Sequence, residues 1–346
     1  MSKLRRRMND EACSTKEINN GTVDQFPPQR ALITGVAGFA GGFLAEHLLS
    51  RGDAVLGAAP GGQWEPNSPE SIRDRVELVA WDLGSDAGLG DEVRRRIEAF
   101  RPSAIYHLAA LSIPGDCGKQ EPLPAALAVN VEGTRRVVEL AAGLPSHPRL
   151  LMVSSAKVYA PVGPGNPFVA ETSPLGPRDA YGRTKLAAEQ IVQEVVARHG
   201  CDAVIARAFQ HTGPRQGPRM MLPEWACQFA SGDSGPVEVR TCDAVIDLSD
   251  VRDVVRAYRL LMACGERGGV YNVGSGLPRR SGEVLDILRN LAGPDRPVCE
   301  TRPGPKHDAI ANTMRLIQDT GWHAEVPLEQ TVADTWAYWR ELVASC

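Results

Sequence analysis

Residues 31–52 read ALITGVAGFAGGFLAEHLLSRG, and the fold follows from how that stretch divides. Residues 31–34 form a short apolar run of strand type that ends at Gly35. Beyond Gly38 the apolar residues Phe43, Leu44, Leu48 and Leu49 recur at helical spacing until Gly52 stops them. A strand, a glycine turn and a helix in direct succession make the first half of a βαβ unit. The pattern repeats outward: strands at 54–56, 76–81, 104–108, 150–154 and 203–208 alternate with helices at about 91–100, 123–142 and 180–199. Such alternation predicts an α/β fold, a doubly wound parallel sheet with right-handed crossovers.

From about Pro214 the rhythm changes. Shorter elements follow: a helix at 222–230, strands at 237–239 and 270–273, a helix started by Ser281 and stopped by Gly293, and a last helix near 328–342. Between them a helix at 251–262 shows one apolar face, Val251, Val254, Tyr258 and Leu261, with Asp250 as its N-cap. The reading is a flexible N-terminal tail at 1–28, a dinucleotide-binding Rossmann domain at 29–213, and a smaller C-terminal substrate-binding lobe at 214–346, with chain exchange between the lobes allowed.

The 346 residues, 43% hydrophobic and 23% charged with a net charge of −4, suffice for a sizeable core and exclude a disordered or fibrous chain. No basic surplus exists to neutralise a phosphate backbone, so no nucleic acid is expected as partner. No apolar run is long enough to span a bilayer, and Arg5, Arg6 and Arg7 are not followed by a signal-peptide core. The sequence predicts no membrane association and a cytoplasmic location. Eight cysteines without CxxC pairs read as reduced thiols, with no metal site.

The turn Gly35, Gly38, Phe39, Ala40, Gly41 lies where backbone N–H groups and a helix dipole can hold a pyrophosphate. Gly35 permits the tight turn, Gly38 the approach of phosphate to backbone, and Gly41 the close packing of helix on strand. Asp82 and Leu83, after the third strand, are candidates to flank an adenine. The second strand ends in Gly57-Ala58-Ala59-Pro60, with no carboxylate to grip a ribose 2′-hydroxyl. That favours NADP(H) over NAD(H).

Tyr181 and Lys185 in YGRTK share one face of a helix start, and Ser155 ends the fifth strand. In a doubly wound sheet those positions meet at the cofactor crevice. A lysine ammonium beside a phenol is expected to lower its pKa, making Tyr181 a general acid or base. Ser155 would donate to a substrate carbonyl, and Lys185 would also hold the nicotinamide ribose. Ser154, Ala109, Ala110 and Asn130 complete the expected cofactor wall, while His107 reads as a satisfied core histidine.

These residues together resemble the extended short-chain dehydrogenase/reductase family, also called the NAD-dependent epimerase/dehydratase family. The likeness runs through LITGVAGFAGGFLAEHLL, IYHLAA, VNVEGT, VSSAKVY and YGRTKLAAE. Within it, RAFQHTGPRQGP (207–218), DVRDVVRAYRLL (250–261) and YNVGSG (271–276) are most similar to the GDP-4-keto-6-deoxy-D-mannose reductases. The resemblance implies an NAD(P)-dependent oxidoreductase acting on a nucleotide sugar, with Ser155, Tyr181 and Lys185 as its triad and Gln210, His211 and Arg302 at the substrate. It implies reduction of a 4-keto sugar and a homodimer joined through the helices at 123–142 and 180–199. A 4-epimerase or 4,6-dehydratase is the alternative enzyme. Dehydration is disfavoured because Lys157 stands where a carboxylate would be needed. A non-catalytic nucleotide-binding protein is the alternative of another class. Two positions depart from the reductase pattern: Val245-Ile246-Asp247 replaces Arg-Arg-Asp, and Pro305 replaces an acidic residue.

Overall fold

A computed structural model describes residues 26–65, 68–233 and 235–345. The expected tail lies outside these residues up to position 25. Seven parallel strands form the main sheet: β1 (Arg30–Thr34), β2 (Ala54–Ala59), β3 (Glu77–Ala80), β4 (Ala104–His107), β5 (Arg149–Ser155), β6 (Ala203–Ala208) and β7 (Val270–Val273). Their order is β7-β6-β5-β4-β1-β2-β3. The order reverses beside β1, which pairs with β2 on one side and β4 on the other. A crevice opens at that reversal, at the carboxyl ends of the strands.

Alternation along the strands sorts the core into two layers, because successive strand residues point to opposite faces. Ala31 and Ile33 pack on one face with Leu44 and Leu48 of α1 (Phe39–Ser50) and Val254 and Tyr258 of α6 (Val251–Cys264). Leu32, Ile105 and Met152 pack on the other. There they meet Val137 and Val138 of α3 (Gly133–Gly143) and Ile191 and Val195 of α4 (Ala180–His199). The remaining long helices are α2 (Asp91–Phe100), α5 (Met221–Ala230), α7 (Ser281–Ala292) and α8 (Leu328–Ala344).

A third core joins Trp225 and Phe229 of α5, Leu285 and Leu288 of α7 and Trp339 of α8 with Ile246 and Leu248. It is separate from the two layers that pack on the main sheet. The chain returns to the main sheet after α5, since α6 and β7 follow α5 in sequence yet pack there.

Among the features that differ from the sequence expectation, two bear on the site. The helix expected at 123–142 is an α-helical turn at Pro124–Ala126, a π segment at Leu127–Glu132, and then α3. The wide turn is pinned by Asn130, whose buried side chain bonds the backbone N–H and carbonyl of Leu111 and the Thr184 hydroxyl. The strands Gln210–Thr212 and Ala244–Asp250 were not read from the sequence; they pair in parallel, Leu248 with Gln210 and Asp250 with Thr212. Three residues are too few to show a period, and AVIDLSD runs straight into α6, so its boundary is hidden. As expected, Asp250 caps that helix, accepting from the Arg252 N–H at 2.7 Å.

Candidate active site

The crevice encloses a cavity of about 510 Å³, within the range of small-molecule sites. Gly35, Gly38, Phe39, Ala40 and Gly41 form one end of its wall, with Ala109 and Ala110 from the segment after β4. Gly35 has φ +74°, and a Cβ there would lie 2.7 Å from the Ala109 backbone nitrogen. A Cβ on Gly41 would stand 2.1 Å from the Gly35 carbonyl oxygen. Both glycines are therefore required by close approach.

Gly38 is the N-cap of α1 and supplies no side-chain acceptor to the first-turn N–H groups, which an α-helix leaves without internal partners. The hydroxyl of Tyr258, a fully buried side chain on the cavity wall, also has no hydrogen-bond partner. An uncapped helix start and a glycine turn that admits no side chain fit the pyrophosphate of a dinucleotide.

Further along the wall stand Ser154, Ser155, Tyr181 and Lys185. Asp179 caps α4 by accepting from the Gly182 N–H at 2.8 Å, which fixes the turn carrying Tyr181. Gly182 is the residue that lets this turn approach the turn after β5, because a Cβ there would meet the Lys157 carbonyl oxygen at 2.3 Å. Sequence reading passed over this glycine, although it lies inside YGRTK.

Burial pushes the Tyr181 phenol up to about 12, against a hydrogen bond from Ser155 that pulls it down. Burial likewise brings the Lys185 ammonium down to about 8, opposed by the negative charge of Glu189. The expected lowering of the phenol by the lysine is thus overturned. Lys185 Nζ donates to the Val153 carbonyl at 2.9 Å and lies 5.9 Å from the Tyr181 ring centroid. Ser154 turns away from this pair and donates to the Glu189 carboxylate. Glu189 in turn holds Arg207 through two hydrogen bonds of 2.9 and 2.7 Å, with both side chains almost wholly buried.

Gln210 and His211 line the same cavity. His211 Nδ1 faces the Phe209 carbonyl at 2.9 Å, its ring stacks on Phe39 at 6.1 Å, and burial lowers its pKa. Gln210 Nε2 donates to Asp308 at 2.8 Å, and Asp308 and Lys157 line the same cavity. Asp308 was not found from the sequence, having no motif around it.

Other expected residues stand elsewhere. The Asp82 carboxylate accepts from the Gly84 N–H at 2.9 Å, closing its own turn, and Leu83 is buried in the core under α3. Asn130 is committed to Leu111 and Thr184 as described. Arg302 is exposed, outside the cavity lining, with its backbone N–H on the Arg240 carbonyl. His107 is buried between Thr34 and Thr134, its ring nitrogens at 2.7 and 2.9 Å from their hydroxyls, and burial takes its pKa down to about 3. Among the described residues no group of three or more His, Cys, Asp or Glu side chains could hold a metal, and no helix is long and apolar enough to cross a membrane.

Comparison with known proteins agrees with this geometry. A GDP-6-deoxy-D-mannose reductase of Pseudomonas aeruginosa is 28% identical over 324 residues, covering 91% of this chain and 98% of the relative. A dTDP-glucose 4,6-dehydratase of Xanthomonas campestris is 27% identical, covering 88% of this chain and 91% of the relative. The solved structure of RMD from Pseudomonas aeruginosa complexed with NADPH superposes with a TM-score of 0.75 at 26% identity, covering 91% of this chain and 99% of that one. The family model for NAD dependent epimerases/dehydratases matches residues 31–274, and with the glycine turn, the parallel sheet and the serine, tyrosine and lysine on one wall, the chain belongs to that family.

Proposed function

We propose that the protein reduces the 4-keto group of a nucleotide-linked sugar resembling GDP-4-keto-6-deoxy-mannose, using NADP(H), with Tyr181 as general acid. The observation that carries this reading is that Ser155, Tyr181 and Lys185 line one cavity together with the glycine turn. A phenol held near 12 stays protonated at neutral pH and is poised to give its proton to a developing alkoxide. Ser155 donates to the carbonyl oxygen and fixes it against Tyr181. Lys185, with a pKa of about 8, carries its charge at pH 7 and favours the phenolate left behind.

When bound, the nicotinamide supplies the hydride. Gly35, Gly38, Phe39, Ala40 and Gly41 would hold its pyrophosphate, and Ala109, Ala110, Ser154 and Lys185 would border the rest. NADP(H) is preferred because β2 ends in Ala58-Ala59, without a carboxylate to repel a 2′-phosphate. Gln210 and His211 would face the sugar. Asp82 and Leu83 at the adenine, Asn130 near the nicotinamide and Arg302 at the nucleotide belong to the same reading as groups that would have to move to make contact.

The P. aeruginosa relative is a reductase, and the residue two beyond Ser155 is Lys157 rather than a carboxylate, which weighs against dehydration. The proposal extends to the division of the chain near residue 213, a homodimer and a cytoplasmic location. Leu123 and Leu127, 49% and 43% exposed at the start of the expected dimer helix, support the homodimer.

Consumption of NADPH on addition of 4-keto-6-deoxy sugar nucleotides tests the reaction. Turnover by wild type that disappears in Tyr181→Phe supports it. Product formed without added reductant would identify an epimerase or dehydratase instead, and nucleotide binding without turnover of any such sugar, unaltered in Tyr181→Phe, would favour the non-catalytic reading.

A further inference from the structure

Beside the triad lies a second polar cluster. The Lys157 backbone N–H donates to Ser155 Oγ at 3.2 Å, so this lysine starts next to the hydroxyl that would face the reacting carbonyl. Its ammonium is 3.6 Å from Asp308 Oδ1. The other carboxylate oxygen accepts from Gln210 Nε2 at 2.8 Å and from Lys306 Nζ at 2.7 Å. Lys157, Gln210 and Asp308 all line the cavity, and they come from three distant segments: the turn after β5, the strand Gln210–Thr212, and the chain after Lys306–His307.

Burial alone would raise the Asp308 pKa, but the charges of Lys157 and Lys306 outweigh it and hold the carboxyl below its ordinary range. The carboxylate is therefore ionised at neutral pH. An ionised carboxylate has about four acceptor positions, of which three face donors here, and an ammonium has about three donors, of which one is engaged. The cluster thus presents a spare acceptor and spare donors side by side, close to the carbonyl position. Paired hydroxyls on neighbouring ring carbons match that pattern: one donates to the carboxylate while the other accepts from the ammonium.

We infer that Asp308, with Lys157, is the receptor for the 2,3-hydroxyl pair of the sugar, whose 3-hydroxyl lies next to the reacting keto carbon, and decides which sugars the enzyme accepts. This inference rests on the reductase reading above. The cluster binds and orients substrate and moves no proton in the reaction. It also gives Lys157 a task in the position where a dehydratase would need a carboxylate.

The test compares wild type and Asp308→Asn on two substrates, a 4-keto nucleotide sugar with both ring hydroxyls and its 3-deoxy counterpart. Wild type should favour the hydroxylated sugar by roughly 10- to 100-fold in kcat/KM, mostly through KM. In Asp308→Asn that ratio should collapse to within about threefold, because only the hydroxylated substrate loses a partner. Each ratio is taken on a single protein preparation, so partial unfolding of the variant cancels. An unchanged ratio in the variant, or a wild type that does not distinguish the two sugars, overturns the inference while leaving the reductase intact. No turnover of either sugar by wild type overturns the reductase reading and the inference with it.

Discussion

The two walls of the crevice are assembled by different means. The wall carrying Ser155, Tyr181 and Lys185 is made by neighbouring pieces of one sheet layer: the end of β5 and the first turn of α4, which approaches the turn after β5 through Gly182. The wall carrying Gln210, Asp308 and Lys157 is gathered from segments up to 151 residues apart, counting from 157 to 308, and is held by charge rather than by helix-on-strand packing. On the proposed reading, the chemistry sits on the wall built from adjacent elements and sugar recognition on the wall gathered from distant segments. A change on the first wall should affect every substrate alike, and one on the second should affect substrates unequally.

The sharpest way to break this contrast is Tyr181→Phe. On the proposed reading, in which the phenol gives a proton, it should lower kcat by about 10²- to 10⁴-fold on every sugar, with an unchanged melting temperature. Substrate-dependent losses in steady-state kinetics would erase the distinction between the walls.

Next comes the platform behind the triad. Arg207→Met strands the buried Glu189 carboxylate and should cost about 3–5 kcal/mol in urea unfolding. A cost below 1 kcal/mol would show that Glu189 finds another partner.

Gly182→Ala sharpens the argument about approach. The new Cβ would stand 2.3 Å from the Lys157 carbonyl, so α4 must shift. The expected cost is about 1–3 kcal/mol in stability, with a fall in kcat shared by all substrates. Wild-type kinetics in this variant would detach the glycine from the geometry of the first wall.

The smallest effect concerns His107, at the seam between β4 and α3. Its folded pKa of about 3 lies below the ordinary 6.5, so the native state holds it neutral. Stability from this group is complete above about 6.5 and is lost as pH falls through the window toward 3. Lowering the pH from 6.5 to 5 should remove about 2 kcal/mol by this route. Chemical unfolding at the two pH values, compared with His107→Gln, checks it; an equal pH loss in the variant would assign the effect to other groups.

Much of the first wall was legible beforehand. Gly35 and Gly41 carry a turn whose spacing has a steric cause, and Tyr181 and Lys185 lie one helical turn apart in a continuous motif. His107 read correctly as a core residue, and Asp250 as a cap. What the sequence misjudged was energetic: the phenol is raised rather than lowered, because burial dominates, and the Lys185 ammonium is bound to the Val153 carbonyl. It also missed elements too short to show a period, such as Gln210–Thr212 and Lys306–His307.

The amino-acid order alone determined the parallel sheet, the glycine turn and the pairing of tyrosine with lysine, because each depends on residues within one strand, one turn or one helix. Folding decided the π turn at Asn130, the return of α6 and β7 to the main sheet, and the meeting of Lys157 with Asp308. Those contacts join positions far apart along the chain. No local periodicity encodes them, and only the tertiary packing of distant segments brings their charges within reach.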